Sequence, residues 1–191
     1  PGRGSIQVRA SQIALVAGAG SGIGRAARLA LHGRGSSVVL AGRRLEQLQP
    51  TAAMAAGAGG AMLPVAADVS QPESVKALFG ALREKFGRLD LLFNNAGRGI
   101  TRPVLELTDE EFDLMMTVNV KSALYGMQAI APHFIARGRG QIVNVSSMPS
   151  RVPFATFRSA YNAAKAALNA LTAHARVAPA REGGGFARAT P

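Results

Sequence analysis

The sequence contains no cysteine, no tryptophan and few other aromatic residues, and these shortages exclude several classes of function. Because none of the 191 residues is cysteine, disulfide frameworks, thiolate metal sites and cysteine nucleophiles are excluded. With only two tyrosines, the chain offers no aromatic platform for stacking bases. No apolar run reaches the roughly 18 residues of a transmembrane helix, and residues 1–12 lack the apolar stretch of a signal peptide. We therefore expect a soluble, cytoplasmic protein that does not associate with membranes.

Acidic residues are also scarce, because the sequence has 11 Asp and Glu but 22 Lys and Arg, which gives a net charge of +11. A strong positive charge is typical of proteins that neutralise nucleic-acid phosphates. The arginines, however, are spread from Arg3 to Arg188, and their longest run is Arg43-Arg44. We interpret the charge as a solvated basic surface with one local anion site, and we expect no nucleic-acid partner.

Short apolar runs alternate with helical segments along the chain. The predicted strands are Ile13–Ala17, Val38–Ala41, Met62–Ala66, Leu89–Phe93 and Gln141–Val145. The predicted helices are Arg25–His32, Leu45–Ala56, a segment from a Ser70–Glu73 capping box to Phe86, one from a Thr108–Glu111 capping box to Ala136, and Ala160–Val177. This alternation indicates an α/β fold, a doubly wound parallel sheet covered on both faces. We expect one domain over residues 1–191, with 1–11 and 183–191 irregular.

A glycine-rich turn joins the first strand to the first helix. Glycines at such a turn let the backbone approach a pyrophosphate, and the helix N-terminus supplies free N–H groups. The spacing differs from the common G-x-G-x-x-G, so a plain tight turn is the alternative interpretation. The candidate cofactor-binding residues of this turn are Gly18, Gly20, Ser21, Gly22, Ile23 and Gly24.

The end of the second predicted strand should hold the group that recognises the adenosine ribose of a dinucleotide. An acidic residue there would accept hydrogen bonds from a free 2′-hydroxyl, whereas the chain has Arg43 and Arg44. Because guanidinium groups pair with phosphate, this pair favours NADP(H) over NAD(H). An exposed loop pair without a ligand is the alternative.

Taken with five further motifs, the turn makes the sequence resemble the short-chain dehydrogenases/reductases from about Ile13 to Glu182. The motifs, in chain order, are Asp68-Val69, Asn94-Asn95-Ala96-Gly97, Asn119, Ser146-Ser147 and Tyr161-Asn162-Ala163-Ala164-Lys165. The resemblance implies a Rossmann-type sheet with strand order 3-2-1-4-5. It also implies an NADP(H)-dependent oxidoreductase that acts on a small carbonyl or alcohol substrate, and a homo-oligomer.

The resemblance assigns roles to four residues. Tyr161 exchanges a proton with the substrate oxygen as a hydride moves to or from the nicotinamide, and Lys165 favours the phenolate and holds the ribose. Ser147 polarises the carbonyl, and Asn119 bends its helix around a water. Ser146 is the alternative to Ser147, which lies one residue farther from Tyr161 than is usual in the family. The resemblance places five more residues at the cofactor: Asp68, Val69, Asn95, Ala96 and Gly97.

The end of the chain departs from the family pattern, because neither a sixth nor a seventh strand is evident after the last predicted helix. We therefore expect a C-terminally incomplete member of the family. The alternative function is a non-catalytic dinucleotide-binding or interaction protein. The three histidines, His32, His133 and His174, lack ligand spacing, so we expect no metal site.

Overall fold

Parallel strands form a single sheet in the computed structural model, which describes residues 11–53, 60–151, 157–175 and 187–190. The strands are β1 (Ile13–Ala17), β2 (Ser37–Gly42), β3 (Met62–Ala66), β4 (Leu91–Asn94), β5 (Gln141–Val145) and β6 (Ala187–Thr190). Their order is β3-β2-β1-β4-β5-β6, and every neighbouring pair is parallel. The predicted Rossmann-type arrangement with order 3-2-1-4-5 is confirmed.

The sixth strand corrects the prediction that no such strand is evident and, over residues 187–190, the prediction that 183–191 are irregular. Residues 183–186 and 191 lie outside the described residues. Ala187–Thr190 pair in parallel with residues Ile142–Val145 of β5. The segment Ala-Arg-Ala-Thr has no apolar run, so its own sequence does not indicate a strand. Its hydrogen-bond partners come from the backbone of β5, and this tertiary context outweighs the weak local propensity.

Helices cover both faces of the sheet because strand side chains alternate between them. The helices are α1 (Gly22–His32), α2 (Leu45–Ala53), α3 (Pro72–Phe86), α4 (Asp109–Met116), α5 (Ser122–Arg137) and α6 (Ser159–His174). One apolar core joins Leu15, Val39, Leu92, Leu78 of α3 and Phe134 of α5. The other joins Val16, Leu40, Leu91, Leu31 of α1 and Leu48 of α2. The doubly wound prediction is therefore confirmed.

Helix boundaries differ from prediction where the caps differ. The Thr108 capping box is present, but the one predicted at Ser70 is not, because Gln71 is the N-cap and Pro72 begins the helix. The Ser70 hydroxyl instead donates to Asp68 Oδ1 at 2.6 Å. The last helix ends at His174, before the predicted Val177. The predicted end of the second helix at Ala56 lies outside the described residues.

Candidate active site

Two glycines bring the end of β1 against the start of α1. Gly18 has φ +70°, a conformation that side-chain-bearing residues rarely adopt, and its N–H donates to Ala41 O at 2.9 Å. A Cβ on Gly24 would overlap the carbonyl oxygen of Gly18 and lie 2.6 Å from Asn95 Nδ2. The α1 N-cap, Ser21, makes no side-chain cap bond. The first N–H groups of α1 therefore remain available to a ligand.

A cleft of about 390 Å³ opens above this turn, at the carboxyl ends of the strands. It brings together twelve of the predicted cofactor residues: Gly18, Gly20, Ser21, Gly22, Ile23, Arg43, Arg44, Asp68, Val69, Asn95, Ala96 and Gly97. Gly24 is buried below the turn and acts through packing. Open parallel sheets bind ligands at the carboxyl ends of their strands, at the point where the strand order reverses, which here lies between β1 and β4.

The two arginines after β2 lie at one end of this cleft. Arg43 and Arg44 are exposed, and neither belongs to an ion pair between described residues. The carboxylate of Asp68, across the cleft, instead accepts hydrogen bonds from the N–H and the hydroxyl of Ser70. Both guanidinium groups are therefore free to bind an anion.

Two asparagines at the end of β4, Asn94 and Asn95, connect the cleft to the core. Asn95 Nδ2 donates to Gly18 O at 3.3 Å, across the glycine-rich turn. Asn94 Nδ2 donates to Asn144 Oδ1 at 2.8 Å, and Asn144 Nδ2 donates to Thr172 Oγ1 at 2.9 Å. This buried chain of amides ties β4 and β5 to α6, the helix that carries Tyr161 and Lys165.

A second cleft of about 530 Å³ continues from the first at Ile23, Asn95, Gly97 and Arg98. It contains all four predicted catalytic residues: Asn119, Ser147, Tyr161 and Lys165. The Tyr161 ring lies over Gly99, where a Cβ would be 3.6 Å from Tyr161 Cδ2. The fold therefore gathers the four side chains from three separate segments into one space beside the glycine-rich turn.

Lys165 is the most deeply buried cation of this second cleft, with 4% of its surface exposed. Its Nζ donates to Val145 O at 2.8 Å and lies 5.8 Å from the centroid of the Tyr161 ring. Burial lowers the pKa of Lys165 from 10.5 to about 8, because an ammonium loses hydration there. The lysine is still mostly protonated at neutral pH, so a positive charge stands beside the tyrosine.

Asn119 lies in a π-helical turn, Thr117–Lys121, that interrupts the predicted long helix between α4 and α5. Its Nδ2 donates to Arg98 O at 2.9 Å and to Met115 O at 3.0 Å. Its Oδ1 is buried and has no hydrogen-bond partner among the residues that the structure describes. A Cβ on Gly97 would be 2.7 Å from that oxygen and 3.4 Å from Lys165 Nζ. The free acceptor and the ammonium therefore converge beside Gly97.

The two serines after β5 differ in their surroundings, although both border the cleft. Ser146 is 7% exposed, and its hydroxyl donates to Lys165 O at 3.4 Å. Ser147 is half-buried, and its carbonyl accepts a hydrogen bond from the Ser150 hydroxyl. The Ser146 hydroxyl is thus engaged by the protein, which leaves Ser147 as the better candidate for contact with a substrate.

Residues 12–183 match the short chain dehydrogenase family. The chain belongs to the short-chain dehydrogenase/reductase family. A relative, an uncharacterized oxidoreductase of Staphylococcus aureus strain MW2, is 36% identical over 165 residues, which cover 86% of this chain and 70% of the relative. The chain is accordingly an oxidoreductase of this family.

Solved structures of the family have the same fold. A metagenomic short-chain oxidoreductase in complex with NADP is 35% identical with a TM-score of 0.82, over 88% of this chain and 76% of that one. A short-chain dehydrogenase/reductase from Burkholderia phymatum in complex with NAD is 32% identical with a TM-score of 0.82, over 88% and 60%. Family members of similar overall likeness therefore bind different dinucleotides.

Sequence reasoning missed two arginines that border the second cleft of this dehydrogenase, Arg98 and Arg158. Arg98 directly follows the Asn94–Gly97 motif, so the sequence alone could have indicated that it lies at the cleft. Arg158 precedes α6 and is brought to the cleft only by the tertiary fold.

Within the described ranges, no helix is long and apolar enough to cross a membrane. Those ranges also contain no cluster of three or more potential metal-ligating side chains.

Proposed function

We propose that this chain binds NADP(H) and interconverts a carbonyl compound and the corresponding alcohol, with Tyr161 as the acid/base. The observation that carries the proposal is the continuity of the two clefts. Tyr161, Lys165, Ser147 and Asn119 border one cleft, and the glycine-rich turn borders the other. A dinucleotide lying along both would bring its reactive ring beside the tyrosine. When bound, the nicotinamide supplies or accepts the hydride.

The side chains fit proton transfer at the tyrosine hydroxyl. In reduction, the Tyr161 hydroxyl donates a proton to the substrate oxygen, and the Ser147 hydroxyl donates a hydrogen bond to the same oxygen. The Lys165 ammonium stabilises the phenolate that remains. Asn119 Oδ1, a buried acceptor without a partner in the described part of the chain, would hold a water that carries protons between Lys165 and solvent. In alcohol oxidation the same transfers run in reverse.

The preference for NADP(H) rests on Arg43 and Arg44. Known relatives were solved with NADP and with NAD, so family membership alone does not select between them. Two exposed guanidinium groups follow β2, where a dinucleotide places its adenosine ribose. They would pair with a 2′-phosphate and gain little from a free hydroxyl.

Replacement of the tyrosine tests the proposed reaction. Tyr161→Phe removes the transferable proton but keeps the ring that packs on Gly99, so turnover should fall by at least about 100-fold with little change in cofactor affinity. Turnover is followed by NADPH absorbance, and affinity by fluorescence titration. Tyr125→Phe, on α5, is the matched control and should retain activity. Undiminished turnover in Tyr161→Phe contradicts the mechanism, whereas cofactor binding without turnover in the parent would select the non-catalytic alternative.

We also propose a homo-oligomer that pairs through α4, α5 and α6. Phe112 on α4 and Ile135 on α5 are 41% and 46% exposed, and apolar side chains on helix surfaces favour burial against a partner. Sedimentation velocity of the purified chain measures the oligomeric state directly. A monomer at micromolar concentration would contradict this proposal.

A further inference from the structure

The catalytic cleft is bordered by cations and by no acidic side chain among the described residues. Its charged residues are Arg98, Arg158 and Lys165. The five residues between Arg151 and Phe157 in the sequence, Val-Pro-Phe-Ala-Thr, add no charge. Among the described residues, the lining of this cleft therefore carries positive charge and no carboxylate. The charge is separate from the Arg43-Arg44 pair, which borders only the cofactor cleft.

Both arginines are free to bind a ligand. Arg98 and Arg158 are exposed, and neither belongs to a side-chain hydrogen bond or ion pair between described residues. Arg102 differs, because its guanidinium binds Glu111 Oε1 at 2.6 Å. The structure thus neutralises one nearby arginine with a carboxylate and leaves the other two unneutralised at the cleft.

The segments that carry the two arginines are joined to each other. The N–H of Arg102 donates to Phe157 O at 2.6 Å, which ties the chain after β4 to the residue preceding Arg158. The carbonyl of Arg98 accepts the 2.9 Å hydrogen bond from Asn119 Nδ2. The backbone positions of Arg98 and Arg158 are thus fixed relative to the catalytic residues.

We infer that the substrate of this enzyme is an anionic carbonyl or alcohol compound, whose carboxylate or phosphate group binds Arg98 and Arg158. The inference rests on the proposed function and specifies its substrate class. A neutral substrate could accept hydrogen bonds from these guanidinium groups but would leave their charge unpaired. An anionic group within reach forms charge-assisted hydrogen bonds, which are about twice as strong as neutral ones.

Arg158 is the better residue for the test, because Arg98 borders both clefts and is also placed to contact the cofactor. Arg158→Ala is compared with Arg34→Ala, an exposed arginine that follows α1. Since α1 runs antiparallel to the strands, Arg34 lies at the amino ends of the strands, away from the cleft at their carboxyl ends. The substitution at Arg34 changes net charge equally but leaves the cleft intact.

The substrates are pairs with the same reactive carbonyl. Acetoacetate is compared with ethyl acetoacetate, and dihydroxyacetone phosphate with dihydroxyacetone, so the two pairs separate a carboxylate from a phosphate. The anionic member of at least one pair should have a kcat/KM at least about tenfold higher than its neutral counterpart. Arg158→Ala should lower kcat/KM for that anion about fivefold to tenfold through KM, leave the neutral compound unchanged and reduce the salt dependence. Arg34→Ala should change neither.

Equal or better use of the neutral members, or an equal loss for both members in Arg158→Ala, would overturn the inference. Binding is measured separately by calorimetry with NADP+ and without cofactor, conditions under which a ketone is not reduced. If no ketone is turned over, preferential binding of the anion that Arg158→Ala abolishes supports the anionic site and counts against the proposed reaction. Binding without preference for the anion overturns the inference whatever the turnover.

Discussion

Replacement of Lys165 by methionine should change how the stability of the protein depends on pH. Methionine keeps the approximate length of the side chain in its buried site and removes the ionisable group. Burial lowers the pKa of Lys165 from 10.5 to about 8 in the folded protein. Between these values the unfolded chain binds the proton and the folded chain does not, so stability rises with pH. The cost of the buried ammonium is fully present below pH 8 and is lost toward pH 10.5.

The expected magnitude follows from those two pKa values. Because one pKa unit corresponds to about 1.4 kcal/mol, the full cost of the buried ammonium is about 3 kcal/mol. Between pH 7 and pH 10 the folded protein should recover most of it, about 2–3 kcal/mol. Burial also lowers the pKa of Arg28 to about 10, but Arg28 is present in both proteins and its contribution cancels in their difference. The hydrogen bond from Lys165 to Val145 O is lost in the variant at both pH values.

Urea denaturation followed by far-ultraviolet circular dichroism is the suitable assay, since the chain has no tryptophan. The free energy of unfolding of the parent should rise by about 2–3 kcal/mol relative to Lys165→Met from pH 7 to pH 10. Lys85→Met, at an exposed site of α3, is the control and should follow the parent. A difference between parent and Lys165→Met that is the same at both pH values would refute the reasoning.

Three other substitutions test the cofactor site and the fold. Arg43→Ala should weaken NADPH binding at least about tenfold and NADH binding little, because only the phosphate pairs with the guanidinium; equal losses in a fluorescence titration would contradict the assignment. Gly24→Ala should lower the free energy of unfolding by about 1–3 kcal/mol, since the added methyl overlaps the Gly18 carbonyl, and an unchanged urea midpoint would argue against that close approach. Thr108→Ala should cost about 1 kcal/mol through loss of the N-cap bond to Glu111, whereas Thr108→Ser should retain most of the stability.

The features predicted correctly from the sequence are those that local spacing determines. The apolar runs of β1 and β5 required burial wherever the chain placed them, and their bounds agree with the structure. Tyr161 and Lys165 are four residues apart on one helix, so they share a face whatever surrounds the helix. Both side chains border the same cleft.

The features that were missed depend on partners distant in sequence. β6 forms because the backbone of β5 provides its hydrogen-bond partners. The sequence of Ala187–Thr190 does not by itself indicate a strand. Ser70 was expected to cap α3, but its hydroxyl binds Asp68 and Pro72 sets the start of the helix one residue later. Arg158 reaches the cleft only because the segment before α6 is bonded to the segment after β4.

The buried amide chain explains how this fold keeps α6 in register with the sheet. Apolar packing alone tolerates sliding of a helix along a strand, because one methyl contact replaces another at similar energy. Asn144 permits no such exchange, since displacement would leave the buried amide of Asn94 and the hydroxyl of Thr172 without partners. At the other end of the same interface, Lys165 Nζ binds Val145 O, one residue beyond Asn144. The polar contacts thus fix Tyr161 relative to the end of β5 and to Ser147, which borders the same cleft.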